Sequence, residues 1–406
     1  MAATSSFMPS TSTVFEKTGE NTMVVNMGPQ HPSTHGVLRV VCELEGETIV
    51  QCKCVIGYLH TGMEKEAEYQ QYQKCVTMTD RMDYLNTYGN NLAHALAVEK
   101  LLQCEIPRRG QYLRVILAEL SRIGSHLVWL GTHALDLGAM TPMFYAFQQR
   151  EMILDLFEMM SGARMMGSWI VPGGLRGDMP AGWDTRLRTF LDGLLPEIEV
   201  MEGLLVENPI WKERTYDVGT LTIEQAQSLG CSGPILRASG LALDLRKSSP
   251  YSGYEEFDFL VPVGSRGDAY DRFLVRIAEM KESAKIVRQA VDGLPDGAWN
   301  TNDRKIVPPP RAELDTSMES LIHHFKLWTE GYHPPVGEAY AAVEGSKGEL
   351  GFYIVSDGSN RPYRWHERGS SFMNLKSMEV MAEGRLLADV VAIIGSIDIV
   401  LGEIDR

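Results

Sequence analysis

Two histidines four residues apart, His31 and His35, lie in the stretch Gly28-Pro29-Gln30-His31-Pro32-Ser33-Thr34-His35-Gly36. An imidazole titrates near neutrality and both donates and accepts hydrogen bonds, so a rigidly held one can position a ligand or exchange a proton with it. Pro29 and Pro32 fix their own φ and bias Gly28 and His31 away from helix, while Gly36 permits a bend. The stretch therefore reads as a stiff loop entering a strand at Val37. Spacing alone also allows a blander reading, two loop histidines satisfied by nearby carbonyls.

Other chemistry is harder to find. The six cysteines, Cys42, Cys52, Cys54, Cys75, Cys104 and Cys231, form no CxxC pair. Cys52 and Cys54 share one strand face, a poor geometry for a disulfide or a metal, so reduced and mostly buried thiols are expected. The methionine pairs Met159-Met160 and Met165-Met166 have no cysteine or histidine beside them and read as packing. The glycines never assemble as GxGxxG or GxxxxGK[ST], so no nucleotide loop is indicated.

The elements that must position the loop follow from patterning. A chain of 406 residues, 44% hydrophobic and 22% charged, has the composition of a globular protein with a substantial core. The net charge of −15 argues against a nucleic-acid partner. No window reaches the roughly 18 uncharged apolar residues of a spanning helix; Ala388–Leu401 is broken by Asp389 and Asp398. With no basic-then-apolar N-terminus, the expected location is cytoplasmic, with docking on a membrane complex left open.

Residues 1–26 open with small and hydroxylated side chains and read as a flexible arm. Val37–Cys42 and Thr48–Val55 read as a hairpin, and with the His loop they make up an N-terminal region over 27–75. Helical periodicity then dominates 76–330, with apolar stripes in 82–102, 112–135, 144–160 and 183–208 and a further helix over 270–291. Thr316–Glu319 has capping-box spacing at the start of one more helix. From 331 to 406 the chain contains a strand over Gly348–Ser356, an apolar stretch over Val390–Leu401 and a charged tail, Gly402–Arg406. The fold class expected is α+β, mainly helical, with a small N-terminal β region, a central helical bundle and a C-terminal β-containing region.

Several collinear blocks carry a resemblance: Gly28–Gly36, Gly57–Lys65, Asp80–Leu85, Glu119–Leu127, Leu135–Pro142, Leu236–Gly240, Pro250–Glu255, His323–Lys326 and Gly351–Gly358. Together they resemble the 49-kDa (D-type) subunit of respiratory complex I, the proton-pumping NADH:quinone oxidoreductase. That family is similar to the large subunit of [NiFe] hydrogenases, which implies a hydrogenase-like fold. It also gives a contrast: a hydrogenase needs four thiolates in two pairs near the chain ends, and here Asp80–Tyr84 and Gly395–Ile399 contain none.

The resemblance implies a quinone headgroup site beside the terminal [4Fe-4S] cluster of a small iron–sulfur subunit. It implies further peripheral-arm and membrane-arm subunits, and a peripheral position on the cytoplasmic face of the membrane (the matrix side in a mitochondrion). No cofactor or metal would be ligated by this chain. Tyr84 and His35 would donate to the two quinone carbonyls, Asp136 would orient His35 and favour its imidazolium, and Arg81 would face the partner's cluster. His31 reads as a structural neighbour. Family members commonly carry His and Arg where this chain has Met166 and Val171, which implies a weaker pH dependence of the cluster potential. Gly369-Ser370-Ser371 replaces Ala-Pro-Ser, and Ile399 stands where Pro is usual. Two alternatives remain open: a non-catalytic scaffold, and a related complex with another electron donor.

Overall fold

A computed structural model describes residues 14–17 and 22–406. The first element is a four-stranded antiparallel sheet in the order β1 (Val14–Lys17), β2 (Thr22–Met27), β3 (Arg39–Glu45), β4 (Thr48–Val55). Patterning predicts only β3 and β4, with a flexible arm over 1–26; β1 and β2 instead extend the hairpin, with Val24 opposite Glu43 and Asn26 opposite Val41. The rest of the expected arm, 1–13 and 18–21, lies outside the described residues. Along β3 the side chains alternate, burying Val40, Cys42 and Leu44 as the two-residue period of a strand demands. Cys42 sits opposite Cys52 with the sulfurs 3.8 Å apart and unbonded, and all six cysteines are free thiols.

The middle of the chain is helical. Short helices α1 (Met63–Ala67) and α2 (Tyr72–Thr79) lead into α3 (Thr87–Leu102), α4 (Arg108–Asp136), α5 (Thr141–Ser161) and, after the two-residue strands β5 (Ile170–Val171) and β6 (Gly174–Leu175), α6 (Trp183–Leu205). Four short helices follow: α7 (Pro209–Thr215), α8 (Ile223–Ser228), α9 (Pro234–Ala238) and α10 (Leu245–Ser248). The long α11 (Ala269–Asp292) packs along α4, and α12 (Met318–Thr329) is capped by Ser317, whose hydroxyl accepts from the Ser320 amide.

The C-terminal part holds a three-stranded antiparallel sheet, β7 (Gly337–Glu344), β8 (Glu349–Ser356) and β9 (Arg364–Arg368), then α13 (Ser370–Ala382), α14 (Leu387–Ile397) and α15 (Leu401–Asp405). About half of the chain is helical, so the fold is a mixed α+β one, mainly helical.

Two hydrophobic cores divide these elements. One fills the bundle and takes Val343, Leu350, Phe352 and Trp365 from the C-terminal sheet. The other lies between the N-terminal sheet and the last helices, joining Val40 and Cys52 to Met378, Ile393 and Ile397. The C-terminal 70 or so residues thus belong to both cores. The stretch expected to be a charged tail is α15, in which Glu403 and Asp405 are buried.

Candidate functional site

The His loop is fixed largely by its own backbone. Pro32–Thr34 form one 3₁₀ turn; His31 stands at its N-cap with Nδ1 accepting from the Ser33 amide at 3.2 Å. The buried Thr34 hydroxyl bonds the carbonyls of Pro29 (3.1 Å) and His31 (3.0 Å). Gly28 has φ +81°, and a Cβ there would lie 2.2 Å from the Leu38 carbonyl oxygen, so only glycine fits. His35 ends the turn with a left-handed backbone, φ 55°. His35 is exposed to solvent, yet the protein packed around it, with the charge of Lys347, lowers its pKa.

Lys347 is the hub. It sits in the tight turn Gly345–Gly348 between β7 and β8, with 1% of its side chain exposed. Its Nζ donates to Ser125 Oγ (2.9 Å) and Asp83 Oδ2 (3.1 Å), and lies 3.9 Å from Asp398 Oδ2. One face of α4 builds this turn into place. Arg122 donates to the carbonyls of Glu344 and of Gly345 (2.8 Å), and Ser125, one turn on, meets Ser346 at 2.9 Å. Arg122 is itself held by Glu119, whose carboxylate also takes Arg246 at 3.1 Å and the Tyr254 hydroxyl at 2.6 Å. The two flanking arginines hold Glu119 well below the usual carboxylate range despite complete burial.

Tyr84 lies in the turn between α2 and α3, immediately after Asp83, and is half-buried. Burial and the neighbouring Asp83 carboxylate raise its pKa, with Lys347 opposing, so the phenol keeps its proton at neutral pH. His35 and Tyr84 therefore share one charged neighbour, Lys347.

Asp136 does not join them. It is the last residue of α4, its titratable neighbour is His31, and its side chain pairs with Ser33. Burial raises its pKa, in the same sense as the negative end of the helix dipole. Two expectations change here. Asp136 belongs with His31 and not with His35, because the end of α4 meets the start of the 3₁₀ turn. The surrounding protein and the charge of Lys347 favour neutral imidazole at His35 over the expected imidazolium.

Arg81 is exposed and bonds the Thr77 carbonyl. Its backbone lies against the C-terminus: a Cβ on Gly402 would come within 2.7 Å of the Arg81 carbonyl oxygen and 2.5 Å of that of Met82. Asp80 beside it is buried, bonded to Ser168 and Asn91, with its pKa raised by burial. Met166 occupies a left-handed backbone position, φ 56°. No group of three His, Cys, Asp or Glu among the described residues is arranged to hold a metal ion. A cavity of about 1060 Å³ lies between α2, the β5–β6 turn and α12, lined by Met78, Trp299 and Trp328 but not by His35, Arg81, Tyr84, Asp136 or Lys347.

Comparison with known proteins decides what this arrangement belongs to. Residues 136–406 match the family described as respiratory-chain NADH dehydrogenase, 49 Kd subunit. The second D-type subunit of NADH-quinone oxidoreductase from Roseiflexus sp. (strain RS-1) is 58% identical over 95% of this chain and 94% of its own length. Its counterpart in Chloroflexus aurantiacus is 57% identical over 95% of this chain and 94% of its own. The D-type subunit from Wolbachia pipientis subsp. Culex pipiens is 52% identical over 95% and 99%. The chain belongs to this family.

Within the family, it is a subunit of an oxidoreductase complex. Lys347, Asp83 and Asp398 form a buried charged group that sequence reasoning did not single out. Asp83 stands inside a matching block, and Asp398 breaks an otherwise apolar stretch, which is the mark of a charge held inside a fold. Lys347 gives no signal, since a lysine in a glycine turn is ordinarily solvated.

Proposed function

We propose that this chain binds a quinone headgroup between His35 and Tyr84, and that Arg81 faces the terminal iron–sulfur cluster of a small partner subunit. The observation that carries the reading is that the charge of one buried cation, Lys347, acts on both His35 and Tyr84, which come from separate elements. Reducing a quinone takes two electrons and two protons, so a site needs donors at both carbonyl oxygens and compensation for negative charge as it arrives. Tyr84 keeps its proton and donates to one oxygen. His35, favoured as neutral imidazole by the surrounding protein and by Lys347, has one N–H for the other. Lys347 attracts the charge delivered by the electrons, and Asp83 and Asp398 hold Lys347 in place.

Asp136 and His31 form a second pair that fixes the base of the loop, and thereby orients His35. The cluster is held by the partner, and this chain supplies one wall of the site. No helix of the described residues is long and apolar enough to cross a membrane; the chain sits peripherally on the cytoplasmic face, bound through other subunits of a proton-pumping complex. With Met166 in place of a titrating histidine, the cluster potential has a shallow pH slope, which redox titration at several pH values measures. An ordinary strong slope overturns that point.

The test of the site is Tyr84→Phe and His35→Ala in the assembled complex. Quinone reduction falls by about 10²-fold or more, while NADH oxidation by an artificial acceptor is unchanged. Unaltered quinone turnover in both variants refutes the assignment and leaves the scaffold reading.

A further inference from the structure

Glu367 lies on β9 opposite Phe352 and is completely buried. Among the described residues neither of its carboxyl oxygens has a hydrogen-bond partner. Buried carboxylates that serve structure are tied down, as Glu119 is by two arginines and a tyrosine. Glu367 holds nothing. An ionised carboxylate in that position is costly, and burial raises its pKa well above the usual range, so it rests as the neutral acid.

The charges that act on it are those of Glu403, Arg406, Glu64 and Asp83. On the outer side is Glu64 of α1, which accepts the Glu367 amide at 3.1 Å and also meets His366 Nδ1 (2.9 Å), Arg406 Nε (2.9 Å) and Arg364 Nη2 (3.1 Å). His366 and Arg364 are 39% and 42% exposed, so this end reaches water. On the inner side is Glu403 of α15, first among the charges acting on Glu367.

Glu403 takes the hydroxyls of Ser370 (3.0 Å) and Ser371 (2.6 Å), and a Cβ on Gly369 would lie 2.8 Å from its Cγ. Glu367 and Glu403 thus flank one short piece of backbone. Beyond Glu403 lie Asp83 and Lys347, both acting on it, and Asp83 acts on Tyr84.

We propose that Glu367 is a proton carrier between the surface pair His366–Glu64 and the Asp83–Lys347 group, by way of Glu403. This rests on the quinone reading of Tyr84. In one pass, Tyr84 gives its proton to the reduced quinone and regains one from the Asp83–Lys347 group. That group is refilled from Glu403, Glu403 takes the proton of Glu367, and Glu367 recovers one from water through His366 and Glu64. The electrons come from the donor of the complex. The net transfer is one proton from solvent to quinol, and every carrier returns to its starting state.

Glu367→Gln preserves the shape and neutrality of the acid but cannot pass a proton. In the assembled complex it lowers quinone reduction about tenfold or more, with a loss that grows as pH rises and an increased solvent deuterium isotope effect. Artificial-acceptor reduction is unchanged, Glu367→Asp recovers most of the rate, and the infrared carbonyl band of a protonated carboxylic acid disappears in the Gln variant.

Equal losses in Gln and Asp variants with an unaltered pH profile point to a packing role and overturn the proposal. So does a wild-type rate, pH profile and isotope effect in Glu367→Gln; if Tyr84→Phe is inactive in the same preparation, the quinone reading survives and the relay alone falls. If Tyr84→Phe is fully active, both fall.

Discussion

The His31–Gly36 loop and the Gly395–Arg406 tail bring groups to the same cation, Lys347, by opposite means. The loop contributes His35 and is determined locally. Its turn closes on its own carbonyls through Thr34, and Gly28 admits the one close contact with Leu38. The tail contributes Asp398 and Glu403 and is determined by distant partners. Asp398 takes Lys347 at 3.9 Å and Arg276 at 4.0 Å, Glu403 takes two serine hydroxyls, and Asp405 accepts the Gly57 and Leu59 amides at 2.8 and 2.7 Å. A locally determined segment can be altered with limited effect beyond itself. A segment whose charges are neutralised from elsewhere carries the fold and the site together.

The largest effect is expected where the two meet. Lys347→Met matches the lysine in length but leaves Asp83 without its cation and Asp398 with Arg276 alone. Removing one member of a buried charged group costs about 3–5 kcal/mol. Denaturant unfolding of the full chain measures that loss, and quinone reduction by the complex is lost with it. A variant as stable as wild type would break the claim that the tail depends on this cation.

The pH dependence of stability has a worked sign in the tail. Burial raises the pKa of Asp398 from 3.8 to about 6, against Lys347 and Arg276. Between those values the folded chain keeps a proton that the unfolded chain releases, so this residue's contribution to stability falls as pH rises from about 4 to 6 and is level above. Asp398→Asn removes that slope. Unfolding midpoints of both proteins across pH 4–7 test it, and parallel curves would refute the assignment.

Next is the loop. In Gly28→Ala the new Cβ meets the Leu38 carbonyl in a left-handed backbone, a strain of about 1–3 kcal/mol. The loop shifts and His35 with it, so quinone turnover falls far more than global stability does. Turnover and unfolding measured on the same preparations separate the two. A proportionate loss of both would mean that the loop is tied to the core as tightly as the tail.

These contrasts also explain what the sequence revealed. Helices α3 to α6 and α11 were legible because apolar residues recur at helical spacing, and the His loop because Pro and Gly act on their own neighbours. Strands β1, β2, β7 and β9 were missed. Pairing partners stabilise a strand, and β9 in particular carries Arg364, Glu367 and Arg368 among its few residues. The tail was misread for the same reason. Gly402–Arg406 looks like a solvated end, and only Ser370, Ser371, Gly57 and Leu59, far away in sequence, make it a buried helix. The family resemblance brought out His35 and Tyr84, but the charge that acts on both comes from a glycine turn that α4 holds in place.

The smallest effect tests one side chain at the start of α13. The Ser370 hydroxyl is one of two that Glu403 accepts. Ser370→Ala removes a single hydrogen bond to a charged group and leaves Ser371 in place, so the chain loses about 1–2 kcal/mol. Losing that donor weakens support for the ionised form, so the pKa of Glu403, already raised by burial and by Asp83, moves further up. The loop is untouched, and quinone turnover at neutral pH should change less than in Gly28→Ala. A loss as great as that of the glycine variant would place Ser370 in the site's chemistry and narrow the distinction between tail and loop.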